Sequence, residues 1–135
     1  MDLKFKHLGV AVHDLAQAVQ VYRDLFGYQV SSGPFDDPIQ QVSVCFLTGG
    51  VTGPVEIELV APLGESSPVR GILKSGGGAY HLCYETRDLQ SSIAQLREKG
   101  CVMVREPVPA VAFEGRHIAW LFTPTRSLLE LVERS

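Results

Sequence analysis

Short apolar runs alternate with turn-forming residues along this chain, and the order of the runs repeats once. Phe5 to Val12 is apolar, short and followed by a helix-start signal, so it reads as a buried strand. Asp14 is the N-cap, Leu15, Ala18, Val19, Tyr22, Leu25 and Phe26 recur at helical spacing, and Gly27 closes the helix. Tyr28 to Ser32 predicts a second strand, broken by Gly33-Pro34 and Asp36-Asp37-Pro38. Gln41 to Leu47 alternates and is rich in Val and Phe, a third strand; after the turn from Gly49 to Pro54, Val55 to Ala61 is the fourth.

Pro62 to Pro68 connects this module to the next, and Pro68 suits the first turn of a short helix ending at Lys74. Gly76-Gly77-Gly78 then leads into Tyr80 to Thr86, a strand. Asp88 caps a helix with Leu89, Ile93 and Leu96 on one face and Gly100 behind it. Cys101 to Arg105, Arg116 to Phe122 and Leu128 to Glu133 are the remaining strands, with Glu106 to Gly115 between the first two. The expected fold is therefore α+β: two β-α-β-β-β modules, about 1–63 and 79–135 joined by 64–78, within one domain. They would form a curved mixed sheet with helices outside and a pocket on the concave face.

The repeat is visible in the residues themselves. His7-Leu8-Gly9-Val10-Ala11-Val12-His13-Asp14-Leu15 is matched by His81-Leu82-Cys83-Tyr84-Glu85-Thr86-Arg87-Asp88-Leu89. Each copy later supplies an acidic strand, Ile57-Glu58-Leu59-Val60 and Leu129-Glu130-Leu131-Val132. Strand alternation groups Phe5, His7, Gly9 and Ala11 on one face, with Glu56, Glu58 and Val60 together in the fourth strand and Leu128, Glu130 and Val132 together in the last. Glu130 stands among Leu128, Leu129, Leu131 and Val132, where an acid is costly to bury unless it is paired or bound to a cation. One His and one Glu per copy, at matching places, is what a metal site built across a duplication needs. His7, Glu58, His81 and Glu130 are thus the candidate ligands. Imidazoles favour Ni, Co, Zn or Fe, and the carboxylates also admit Mn. His13 and His117 fall outside the repeated positions and read as surface or pocket-wall residues.

Composition narrows the function classes. The chain has 135 residues, 45% of them hydrophobic and 20% charged, with net charge −3, as expected of one globular domain. No Lys/Arg cluster supports nucleic-acid binding, and no apolar run approaches the roughly 20 residues of a membrane span. The N-terminus lacks the apolar stretch of a secretory signal, so a cytoplasmic location is expected. Cys45, Cys83 and Cys101 lie apart in apolar segments and read as buried thiols.

These residues resemble the vicinal oxygen chelate superfamily, which includes glyoxalase I, methylmalonyl-CoA epimerase, extradiol dioxygenases and bleomycin-resistance proteins. The resemblance covers the whole chain. It rests on the opening from His7 to Val12 with Tyr22-Arg23-Asp24-Leu25-Phe26-Gly27, and more specifically on Ile57 to Pro68 and the Gly-rich lead into His81, which are similar to the methylmalonyl-CoA epimerase branch. That branch holds its metal by a His, a Gln or Glu, a second His and a final Glu, which implies His7, Glu58, His81 and Glu130 here. The implied chemistry is metal-assisted enolisation next to a carbonyl, with Glu130 as ligand or base. The implied substrate is a small carbonyl compound, an acyl-CoA among the candidates, and edge strands make a homodimer an expectation. Two departures stand out. Gln41 to Leu47 carries no acid, where some epimerases of the branch have one, and Phe122-Thr123-Pro124-Thr125-Arg126-Ser127 is shorter than the family's usual turn. The alternatives are a glyoxalase I-type lyase, which would depend on a thiol such as glutathione, and a non-catalytic small-molecule binder or resistance protein.

Overall fold

The computed structural model describes residues 2–51 and 53–134. They fold as two compact units. One spans His7–Tyr80; the other joins the N-terminal segment through Lys6 to the chain from His81 onward. No helix among the described residues is long and apolar enough to cross a membrane.

The β-α-β-β-β order is present twice. It runs β1 (Lys4–Ala11), α1 (Leu15–Phe26), β2 (Gln29–Asp37), β3 (Val42–Thr48) and β4 (Glu56–Pro62), then a short helix α2 (Val69–Lys74). It repeats as β5 (Gly78–Thr86), α3 (Leu89–Glu98), β6 (Val102–Pro109), β7 (His117–Phe122) and β8 (Leu128–Glu133). Both long helices start as the sequence predicts. The Asp14 carboxylate accepts the Gln17 N–H at 2.9 Å, and the Asp88 carboxylate accepts the Ser91 N–H at 3.0 Å. Gly27 ends α1 at φ 74°, a left-handed conformation that glycine adopts without steric penalty.

In the first unit the strands lie in the order β2-β3-β4-β1, with β1 parallel to β4 and the other pairs antiparallel. Helix α1 covers one face, where Ala18 packs with Val10, Tyr28, Cys45, Leu47, Ile57 and Leu59. In the second unit the order is β5-β8-β7-β6, with β5 parallel to β8. There Leu89 and Ile93 of α3 pack with Cys101, Ala119, Leu121, Leu129 and Leu131, and Leu3 and Tyr84 join from the side. Each sheet is mixed, and each has one face under a helix.

Two strands run further than their sequences suggest. β2 continues through Gly33-Pro34, a cis bond, to Asp37, and β6 continues through Pro107 to Pro109. Both end their unit's strand order, and both carry register shifts, between Val30 and Phe35 in β2 and between Met103 and Val108 in β6. An outermost strand has one row of N–H groups outside the ladder, so proline removes no bond there, and a bulge absorbs the misfit. A single turn of 3₁₀ helix, Val111–Phe113, fills the gap before β7.

Candidate metal centre

The parallel pairing of β1 with β4 sets the first half of the site. His7 lies opposite Glu56 in the register and Gly9 opposite Glu58. Ile57 and Leu59 turn into the core beneath α1, so Glu56 and Glu58 turn to the opposite face, with His7. His7 Nε2 and Glu58 Oε1 stand 3.3 Å apart. His7 is fully buried and Glu58 is 5% exposed.

The second unit builds the same pair by the same rule. His81 lies opposite Leu128 and Cys83 opposite Glu130, while Leu129 and Leu131 enter the core beneath α3. His81 Nε2 and Glu130 Oε1 are again 3.3 Å apart, with Glu130 2% exposed. Each pair is backed by an aromatic ring from the neighbouring antiparallel strand. Phe46, opposite Glu58 in β3, meets the His7 ring edge-on at 5.5 Å. Trp120, opposite Glu130 in β7, meets the His81 ring edge-on at 4.8 Å and 88°. Such packing fixes the plane of each imidazole and contributes about 0.5–1.5 kcal/mol beyond the area it buries.

In each unit one carboxylate and one imidazole are buried side by side, donors of a kind that suits a divalent cation. Neutral imidazoles bring no charge, and burying an ionised carboxylate without positive charge costs several kcal/mol. A cation bound by the same atoms removes that cost. Nitrogen and oxygen donors in this proportion suit Co, Ni, Zn, Fe or Mn.

The remaining residues named from the sequence fall elsewhere. His13 and His117 are exposed. Arg116 spends its guanidinium on the Phe113 and Glu133 carbonyls, at 3.1 and 2.8 Å, and lies over the Phe113 ring. All three cysteines are buried and free, and burial pushes the Cys45 thiol above its ordinary pKa. Phe46 and Trp120 gave no functional signal in the sequence. Aligning Val44-Cys45-Phe46-Leu47 with Ile118-Ala119-Trp120-Leu121 across the repeat would have paired them.

Comparison with known proteins identifies the family. Residues 6–120 match the family described as the glyoxalase/bleomycin resistance protein/dioxygenase superfamily. The ethylmalonyl-CoA/methylmalonyl-CoA epimerase of Cereibacter sphaeroides is 35% identical over 120 residues, 87% of each chain. A solved structure of Streptomyces coelicolor methylmalonyl-CoA epimerase, a variant in complex with 2-nitronate-propionyl-CoA, superposes with a TM-score of 0.80 at 28% identity over 99% of both chains. A lactoylglutathione lyase of Arabidopsis thaliana is 30% identical over 97% of this chain, which spans 44% of that protein.

Proposed function

This chain belongs to the glyoxalase/bleomycin resistance protein/dioxygenase superfamily, and from that membership we propose that it is a metal-dependent epimerase of methylmalonyl-CoA or a closely related acyl-CoA. The observation that carries the reading is the buried His–Glu pair with its aromatic backing, present once in each unit of a chain 35% identical to an epimerase over 87% of both.

His7, Glu58, His81 and Glu130 would hold the cation. When bound, a divalent ion supplies Lewis acidity, drawing charge from a substrate carbonyl oxygen and lowering the cost of forming an enolate. The chain's own residues do the rest. Phe46 and Trp120 hold the imidazoles in one orientation, and the apolar neighbours of Glu58 and Glu130 keep the site dry, which strengthens every charge interaction within it. A carboxylate has two oxygens. Glu130 can therefore serve as a ligand with one and accept the α-proton of the acyl group with the other, a step worth about 10²–10⁴-fold in rate.

The test is loss of the α-proton signal of methylmalonyl-CoA in deuterated water, using protein reconstituted with Co(II). The wild type exchanges the proton, and chelator-stripped protein does not. Failure of the metal-replete protein to exchange, together with conversion of the hemithioacetal of glutathione, would replace the epimerase reading by the lyase one.

A further inference from the structure

Every acyl thioester carries the carbonyl oxygen that a bound cation polarises, so choosing among thioesters needs a second contact. We propose that Arg105 makes that contact and is a specificity-determining residue. Its guanidinium pairs with an anionic group of the acyl-CoA, either the acyl carboxylate or a phosphate of the carrier. This deepens the epimerase reading above and rests on it.

One row of residues crosses the sheet of the second unit. Cys83 of β5 lies opposite Glu130 of β8, Glu130 opposite Trp120 of β7, and Trp120 opposite Arg105 of β6. Residues paired across strands share a face. On this face His81 stands 3.3 Å from the Glu130 carboxylate and 4.8 Å from the centre of the Trp120 ring. Two strand spacings put the Arg105 backbone about 10 Å from that of Glu130. A small acyl group and the arginine's own stem fill that span, with the Trp120 ring between.

Arg105 reaches this face only through a bulge. Met103 lies opposite Leu121, and both pack beneath α3. Strict alternation would send Arg105, two residues on, to that same covered face. The ladder instead slips by one residue between Met103 and Arg105, so Val104 and Arg105 together oppose the single Trp120. An extra residue of this kind re-aims the side chains around it. The repeat shows what is particular here. β2 slips at the corresponding place, with Val30 opposite Leu47 and Ser32 opposite Phe46. Phe46 corresponds to Trp120, so Ser32 corresponds to Arg105. The bulge belongs to both units, and the cationic side chain to the second alone.

The guanidinium is also uncommitted. Arg105 is exposed, and among the described residues it makes no hydrogen bond or ion pair. By contrast, Arg116 donates to two carbonyls and Arg134 lies 3.6 Å from the Glu85 carboxylate. A planar fork of donors matches the paired oxygens of a carboxylate or phosphate, and it keeps its charge throughout the working pH range.

The experiment titrates Co(II)-loaded wild type, Arg105→Gln and Arg105→Lys calorimetrically with malonyl-CoA, malonyl-pantetheine and acetyl-CoA. Malonyl-pantetheine keeps the carboxylate without the phosphates, and acetyl-CoA keeps the phosphates without the carboxylate. Loss of a charge-assisted pair should weaken binding by about tenfold or more. With the carboxylate as partner, Arg105→Gln loses that much toward both malonyl compounds and nothing toward acetyl-CoA. With a phosphate as partner, it loses that much toward both CoA compounds and nothing toward malonyl-pantetheine. Arg105→Lys keeps the charge and recovers part of either loss. Cobalt affinity and melting temperature stay at wild-type values in both variants. Unchanged affinity of Arg105→Gln for all three compounds, equal loss toward all three, or weakened cobalt binding would each overturn the assignment. A cobalt-loaded wild type that binds none of the three would instead overturn the epimerase reading, and this inference with it.

Discussion

Replacing Glu130 by Gln separates what the site costs the fold from what the cation returns to it. Glu130 is 2% exposed and flanked by Leu129 and Leu131, both in the core. Gln keeps the shape and an oxygen for His81 but removes a buried charge, so the metal-free variant should melt no lower than metal-free wild type. With Co(II) at 100 times its dissociation constant, the wild type gains about 2.7 kcal/mol, since the ion binds only the folded chain. At about 3–5 °C per kcal/mol for a domain of this size, the melting temperature rises by about 10 °C. Loss of one of four ligands should weaken binding at least about 100-fold. At the same cobalt concentration Glu130→Gln then gains only about 0.4 kcal/mol, or 1–2 °C. Thermal unfolding followed by circular dichroism, with and without cobalt, measures all four values. An equal cobalt shift in wild type and variant would refute the assignment of Glu130 as a ligand. A metal-free variant several degrees less stable than wild type would refute the claim that the buried charge is a burden.

Three further outcomes follow from the fold. Asp2 has its carboxyl held below its ordinary 3.8, chiefly by the Thr86 hydroxyl donating at 2.7 Å and also by the Arg87 N–H at 2.8 Å. A depressed carboxyl stabilises above its unfolded pKa and loses that contribution as pH falls through the folded value, so urea midpoints of Asp2→Asn should fall less steeply than wild type below about pH 4. A Cβ at Gly50 would lie 2.8 Å from the Tyr28 ring, itself 3% exposed, and Gly50→Ala should cost about 1–3 kcal/mol in urea unfolding. Cys45, Cys83 and Cys101 are all buried, so a disulfide thiol reagent should label the native protein slowly and release three equivalents in guanidinium; rapid native labelling of any one would contradict the packing.

The facing of the candidate site residues was readable in advance, and the reason is the strictness of strand alternation. Glu58 between Ile57 and Leu59, and Glu130 between Leu129 and Leu131, fix which face each acid must take once these aliphatic neighbours are assigned to the core. Asp14 and Asp88 gave the helix starts because capping is local chemistry. What escaped was decided by neighbours in space. Pro34, Pro107 and Pro109 look like strand breaks until it is known that β2 and β6 lie at the ends of their strand orders, where a missing N–H costs no ladder bond. Phe46 and Trp120 look like ordinary core residues until the β3–β4 and β7–β8 registers set them beside the histidines.

The same alternation constrains how such a protein can vary over evolutionary time. In β4 and β8, candidate ligand and core residues occupy alternate positions of one strand. Substitution can exchange one donor for another and leave packing untouched. Insertion or deletion of one residue cannot, because it would carry the glutamate under the helix and the leucine toward the cation in the same step, losing the fold and the chemistry together. Length change in these strands is thus tolerable only in pairs of residues or beyond their ends, and new specificities must arise by substitution there or by remodelling the loops.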